Sequence, residues 1–413
     1  MECFFRRKRV LKALLSLSLA FGTLLMIQKF KFVEDNVKDH LVVKSRVATG
    51  WFEVENDLFK TNSIGKGALG NNSPPELTEK LEEVYVSNAT SASWDVDIIN
   101  CSENLSVKKK DWFRRLDPRF HQFVLHRHCR YFPMLINHPE KCRDEDVHLL
   151  VVVKSVIEQH DRREAVRKTW GKEQVIDGKK IKTLFLIGSP STGKDTKNLQ
   201  KLIQYEDRIY GDILQWDFMD TFFNLTLKEV NFLKWFNTYC PRVKFIFKGD
   251  DDVFVNTNNL VELIGFKTEE QKVRNLFVGD TISKAIPIRN RQSKYYIPRE
   301  LFDKPYPPYV GGGGFVMSSE VARRLFTASE DLELYPIDDV FLGMCLQRIR
   351  VAPELHPGFR TFGIMKRKVS PMNSDPCFFR NLIVIHKLSP QELLRMWNIV
   401  HDKNLICAKR IVL

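Results

Sequence analysis

Residues 244–255 constrain this 413-residue chain more than any other stretch. Phe245, Ile246 and Phe247 form a strand too apolar for a surface, Gly249 is expected to break it, and Asp250, Asp251 and Asp252 follow. Val253–Val255 then resumes an apolar strand. Three carboxylates at the end of a buried strand repel one another and need an offset. A hard divalent cation, Mg²⁺ or Mn²⁺, provides it through oxygen ligands and keeps positions open for a diphosphate. A bare Asp-x-Asp also occurs in solvated turns; the flanking buried strands separate the two readings.

The N-terminal region sets the compartment. Arg6, Arg7, Lys8 and Arg9 precede the apolar run Val10–Ile27, long enough at 1.5 Å per residue for a thin bilayer of about 27 Å. Positive charge on that side keeps the short tail cytosolic and sends the rest into the lumen. The bulky, charged Met26–Lys31 offers no small-residue cleavage site, so an uncleaved anchor is expected over a removed signal peptide. The resulting division is a tail at 1–9, an anchor at 10–28, a stem at 29–110 and a globular domain at 111–413. Five glycosylation sequons begin at Asn71, Asn88, Asn100, Asn104 and Asn224. Four of them crowd a segment without apolar periodicity, as an extended stem would.

Cysteine usage agrees with an oxidising lumen. Of eight cysteines, only Cys3 lies in the tail, so the other seven leave at least one thiol unpaired within the chain. Cys129 and Cys142 are close enough to bridge a short loop, but spacing does not set the connectivity. No Cys-x-x-Cys pair or histidine cluster points to zinc.

Beyond the stem, apolar strands alternate with helical patterns: Leu149–Val153, a helix at Arg162–Trp170, Thr183–Ile187, a helix at Leu199–Tyr210, Ile213–Trp216, a helix at Thr226–Asn237, then Phe245–Phe247. That alternation predicts an α/β domain with a mainly parallel sheet flanked by helices. Ligands of such sheets sit beyond the carboxyl ends of the strands, where the aspartates fall. The second half, with Phe277–Asp280, Tyr295–Pro298 and a strand at Leu382–His386, reads as more mixed.

Four further segments carry candidate chemistry. Arg163 and Arg167 lie four apart on one helical face and are candidates for the nucleotide's phosphates or base-side pocket, or else form a solvated or salt-bridged helix face. Gly311–Gly314 permit close backbone approach and read as a floor or wall of the site before a helix near Ser318. Asp338 and Asp339 open an apolar helix; Asp338 fits an N-cap and Asp339 a general base. His386 ends an apolar strand, as a structural residue or as a third metal ligand.

Together these blocks resemble the β-1,3-glycosyltransferases of the galactosyl and N-acetylglucosaminyl family, glycosyltransferase family 31. The similarity runs from about residue 148 to 400 through Arg162–Gly171, Asp212–Lys228, Phe247–Asn256, Tyr309–Phe315 and Asp338–Val340, and Tyr335–Val340 is similar to the N-acetylglucosaminyl branch. The resemblance implies a GT-A fold and a UDP-GlcNAc donor. Asp250, Asp251 and Gly313 would lie at the nucleotide, Asp250, Asp252 and His386 at Mn²⁺ or Mg²⁺, and Asp339 at the base position. It also implies a Golgi membrane location and galactose-terminated glycan acceptors on glycoproteins, of lactosamine or keratan-sulfate type. A β-1,3-galactosyltransferase and a non-catalytic glycan-binding homologue are the alternatives. The net charge of +13 is spread without a nucleic-acid-binding signature, which with lumenal topology argues against such a partner. Clusters at Lys108–Lys110, Arg114–Arg115, Arg127–Arg130 and Lys366–Lys368 are expected either to attract anionic, sulfated acceptors or to keep the domain soluble.

Overall fold

The computed structural model describes residues 93–97, 101–143, 146–190, 196–361 and 375–407. The tail, the apolar run, most of the stem with Asn71, Asn88 and Asn100, and Lys366–Lys368 lie outside them. Among the described residues no helix is long and apolar enough to cross a membrane.

Among the described residues, twelve strands form two sheets. They are β1 (Met134–Ile136), β2 (Leu149–Lys154), β3 (Gln174–Ile176), β4 (Lys179–Ser189), β5 (Ile213–Met219) and β6 (Phe245–Asp250). The chain continues through β7 (Val253–Val255), β8 (Phe277–Ile282), β9 (Tyr309–Ser318), β10 (Glu354–Leu355), β11 (Phe359–Arg360) and β12 (Val384–His386). The larger sheet runs β1-β5-β4-β2-β6-β9-β8-β10, with β3 hydrogen-bonded to β4. Strands β5, β4, β2 and β6 are parallel, while β9 turns antiparallel to β6 and to β8. The smaller sheet is β11-β12-β7.

Seven longer helices are α1 (His160–Lys168), α2 (Thr196–Tyr210), α3 (Leu225–Tyr239), α4 (Thr257–Glu269), α5 (Ser319–Asp331), α6 (Asp338–Arg348) and α7 (Pro390–Val400). All six residues of β2 are buried, as a central strand covered on both faces requires. Alternation divides its side chains. Leu150 and Val152 join a core with α3, α5 and α6, while Leu149, Val151 and Val153 join another with α1, α4 and α7. The expected α/β class and mainly parallel sheet are present.

Sequence and structure differ in several places. Strand β6 continues through Gly249 to Asp250, because Gly249 pairs with Val153 on one side and Gly314 on the other. The glycine run is extended: it forms the middle of β9. Tyr295–Pro298 contributes only an isolated bridge, Ile288 to Tyr296. The disulfides are Cys101–Cys129, Cys142–Cys240 and Cys377–Cys407, so Cys129 and Cys142 do not pair, and Cys345 is a buried free thiol. Packing also reaches back before residue 111. Trp94 Nε1 donates to the Phe132 carbonyl at 3.0 Å, and the first disulfide ties Cys101 to the domain.

The basic clusters are partly committed to structure. Arg127 pairs with Glu333 at 2.8 Å and donates to the Leu334 carbonyl, while Arg130 donates to the carbonyls of Ser329 and Leu332. These two arginines bind the N-terminal segment to the α5–α6 connection and offer little to an anionic polymer.

Candidate active site

Strand order reverses around β2: β4 and β5 lie on one side of it and the later β6 on the other. At this switch point a crevice opens beyond the strand ends. The register places Lys154, the last residue of β2, beside Asp250, the last residue of β6. Burial of a lysine here demands carboxylates, and Lys154 Nζ has two: Asp250 Oδ1 at 3.1 Å and Asp338 Oδ2 at 2.8 Å. Burial alone would lower the Lys154 pKa, but Asp250 and Asp338 outweigh it and hold the ammonium well above its usual value.

The three aspartates have separate surroundings. Asp250 is the most open, with its side chain about 32% exposed. Asp251 accepts from Ser155 Oγ at 2.7 Å and Arg162 Nη1 at 3.0 Å; burial nevertheless raises its pKa. Asp252 lies 3.0 Å from His386 Nε2 and 3.3 Å from Arg162 Nη1. Burial pushes the Asp252 pKa up, but the His386 hydrogen bond and the positive charges around it leave it lowered. Burial likewise pulls the His386 pKa down, and Asp252 more than reverses it.

Antiparallel pairing of β12 with β7 sets His386 opposite Val253, one residue beyond Asp252. A ligand atom from each of Asp250, Asp252 and His386 lies within 4.8 Å of the others. His386 Nδ1 is 2.6 Å from the Thr361 carbonyl. That nitrogen must donate, which reserves Nε2 for a metal. Cys101, His128 and Cys129 also cluster, but both thiols are spent in a disulfide.

Strand β9 walls the site with backbone. A Cβ on Gly311 would meet Thr361 Cγ2 at 2.6 Å, and one on Gly312 would meet Lys154 Nζ at 3.1 Å. A Cβ on Gly313 would lie 3.1 Å from Thr361 Cγ2 and 3.6 Å from His386 Cβ. Among the described residues, buried Thr361 Oγ1 has no hydrogen-bond partner.

Asp338 is the first residue of α6 rather than its cap. Ile337 holds the cap position, and the Asp338 carboxylate turns to Lys154. Asp339 follows, half-buried, with Oδ1 accepting from the Val340 N–H at 2.8 Å. Burial and the neighbouring Asp338 push the Asp339 pKa up to about 7, against the opposing pull of Lys154. A carboxylate with a pKa near neutrality is suited to proton abstraction.

The expected phosphate role of Arg163 and Arg167 is not what their surroundings allow. Arg163 is fully buried. It donates to both Glu206 carboxylate oxygens at 2.8 Å, to the Val156 and Ile157 carbonyls and to Ser155 Oγ. Arg167 clamps Asp212 through two bonds of 2.8 Å and stacks 4.0 Å from the Tyr210 ring centroid. Their shared helical face is the core face of α1. Arg162, about one-third of a turn away, meets the aspartates instead. Together with Lys154 and Ser155 it was missed as a site residue; the signal was a lysine and a serine closing an otherwise apolar strand.

The two roles separate experimentally. Arg163→Met leaves Glu206 without its bidentate partner and is expected to cost about 3–5 kcal/mol of stability, as broken buried pairs do. UDP affinity of the folded fraction should stay unchanged. A variant of normal melting temperature but weakened UDP binding would restore the phosphate role.

A family model described as Galactosyltransferase matches residues 161–357. The chain is similar to the "UDP-GlcNAc:betaGal beta-1,3-N-acetylglucosaminyltransferase 7" of Rattus norvegicus, 57% identical over 76% of this chain and 79% of the relative. It is 48% identical to the "UDP-GlcNAc:betaGal beta-1,3-N-acetylglucosaminyltransferase 9" of Homo sapiens, over 68% and 74% of the two chains. It is 41% identical to the human "N-acetyllactosaminide beta-1,3-N-acetylglucosaminyltransferase 3", over 75% and 83%.

Proposed function

Because the chain belongs to the galactosyltransferase family of β-1,3-glycosyltransferases, we propose that it transfers N-acetylglucosamine from UDP-GlcNAc, in β-1,3 linkage, to the terminal galactose of lactosamine chains. One observation carries this reading: Asp250, Asp252 and His386 converge within 4.8 Å, and Lys154 joins that cluster to the Asp338–Asp339 helix start. The mainly parallel sheet with its site at the switch point supports a GT-A fold.

Turning an α-linked nucleotide sugar into a β-glycoside inverts the anomeric carbon, which a single displacement achieves. Asp339 takes the proton of the acceptor 3-hydroxyl, that oxygen bonds to the anomeric carbon, and the carbon–oxygen bond to UDP breaks with its electron pair on the phosphate. No enzyme nucleophile is required. The donor set of two carboxylates and a neutral imidazole nitrogen fits Mn²⁺ or Mg²⁺. Such an ion, held by Asp250, Asp252 and His386, would supply positive charge for the departing diphosphate. Lys154 and Arg162 hold the carboxylates in place, and the side-chain-free backbone of Gly311–Gly313 lets Lys154 and Thr361 pack closely against β9 beside them.

The test is donor choice. Purified protein is expected to use UDP-GlcNAc at least tenfold better than UDP-galactose on a galactose-terminated lactosamine oligomer. Preference for UDP-galactose on GlcNAc-terminated acceptors would make it a galactosyltransferase, and no turnover of either would leave a glycan-binding homologue. Sulfated, keratan-sulfate-type acceptors belong to the same proposal, supported by the exposed Lys109, Lys110 and Arg115.

We also assign the chain a single-pass type II topology in the Golgi membrane. Its support is the Arg6–Arg9 cluster, the apolar run, the sequons and three disulfides that need an oxidising lumen. Protease outside intact vesicles should spare the catalytic domain, and N-glycan removal should speed its migration. Digestion of the domain would reverse the topology.

A further inference from the structure

Helix α6 has a second face that the reaction does not use. Met344 and Arg348 stand five and nine residues beyond Asp339, which at about 100° per residue turns them roughly 140° and 180° away from the base. There they border a surface cavity of about 800 Å³, closed on its other side by the segment from Phe302 to Pro308. A cavity of this size is large enough for a specific ligand.

The lining has an unusual division. Phe302, Leu332 and Met344 are apolar and half-buried, and Pro305, Pro307 and Pro308 stiffen the opposing wall. Tyr306 anchors that wall, its hydroxyl 2.9 Å from the Tyr335 hydroxyl. Around this apolar surface stand three exposed cations, Lys304, Arg348 and Arg350. Among the described residues no carboxylate lines the cavity. Among the described residues the side chains of Lys304 and Arg350 have no partner, and Arg348 reaches only Asp331, at 3.4 Å. Arg350 also holds a left-handed backbone, φ +57°, where glycine is the relaxed choice.

This chemistry selects among ligands. A neutral saccharide needs partners for many hydroxyls, and the cavity offers Gln347 as its sole uncharged amide. An apolar surface ringed by cations, two of them without a partner among the described residues, complements an apolar body flanked by anions. We propose that the cavity is a docking site for an acidic polypeptide segment that inserts an aliphatic or aromatic side chain between α6 and the proline wall. Arginine and lysine at the mouth take its carboxylates, and Met344 adapts to the inserted group. A peptide held there lies one helix diameter from Asp339, so it can present a protein-borne glycan without entering the donor site.

The experiment is fluorescence anisotropy of the full chain in detergent with a labelled peptide, Glu-Asp-Glu-Leu-Phe-Glu-Asp. A control peptide carries Gln and Asn in place of the acids, and a sulfated tetrasaccharide of equal charge serves as competitor. The acidic peptide is expected to bind at least tenfold more tightly than either, with affinity falling as salt rises. Lys304→Glu with Arg350→Glu should weaken it at least tenfold while transfer to a free lactosamine oligomer stays at the parent rate, which also shows that the variant is folded. Met344→Asp should weaken it too. Absence of peptide binding, or binding indifferent to the Lys304 and Arg350 reversals, overturns the proposal. Equal or tighter binding of the sulfated tetrasaccharide, lost with the same reversals, also overturns it and makes the cavity an anionic-glycan site. The binding readouts need no donor sugar, so they fail or succeed apart from the proposed transferase activity, and the transfer rate serves only as the control for folding.

Discussion

Asp339→Asn is expected to lower transfer by about 10²–10⁴-fold, the usual contribution of a positioned general base, with the fold and UDP binding retained. The amide is nearly the same size and can keep the 2.8 Å bond from the Val340 N–H, so the loss falls on proton abstraction. The pH profile of the parent enzyme provides an independent reading. Burial and Asp338 hold the Asp339 pKa up to about 7, and the base is active only when ionised. Transfer should therefore fall as pH drops through an acid limb at or below about 7, because a cation bound at Asp250 favours ionisation. That limb should vanish from the residual activity of Asp339→Asn. Near-normal turnover of the variant would remove Asp339 from the role and leave Asp338 as the candidate, although Lys154 already claims its carboxylate.

Chelation should be as damaging. EDTA is expected to abolish transfer and Mn²⁺ to restore it, since the diphosphate would otherwise face Asp250 and Asp252 without intervening charge. Asp252→Asn and His386→Ala should each weaken Mn²⁺ binding, measured by calorimetry without donor, by about 100-fold or more. Loss of an outer-shell partner alone costs about 10–100-fold. Thr361 contributes its backbone carbonyl to His386, so Thr361→Val should preserve the imidazole orientation. Unchanged Mn²⁺ affinity in Asp252→Asn would dismiss the cluster as a metal site, and transfer in EDTA would dismiss the ion from the reaction.

Much of this arrangement was legible in the residues. Short apolar runs such as Leu149–Val153 and Phe245–Phe247, alternating with helical patterns, read as central strands, so the α/β class followed from that alternation. The acidic triplet at the end of one of them located the crevice. Boundaries were less accurate where glycine stood inside a strand: Gly249 read locally as a break, yet cross-strand hydrogen bonds keep it extended, and Gly311–Gly314, read as a wall of the site, form the middle of a paired strand. Backbone pairing had overridden a side-chain preference.

The local pattern of the chain determined which residue types lay near the carboxyl ends of the strands, because strand and helix periods are short-range properties. It did not determine which charges met. Spacing put Arg163 and Arg167 on one face of α1, but only packing against α2 and β5 made that face internal, consuming both in Glu206 and Asp212 and leaving Arg162 to the aspartates. Cys142 found Cys240, 98 residues away, rather than nearby Cys129. The meeting of Asp250, Asp252 and His386 likewise joins β6 to a strand more than a hundred residues later, through the β7–β12 pairing. Ion pairs, disulfides and metal ligands act over a few ångströms in space, and that proximity exists only once the sheets have assembled.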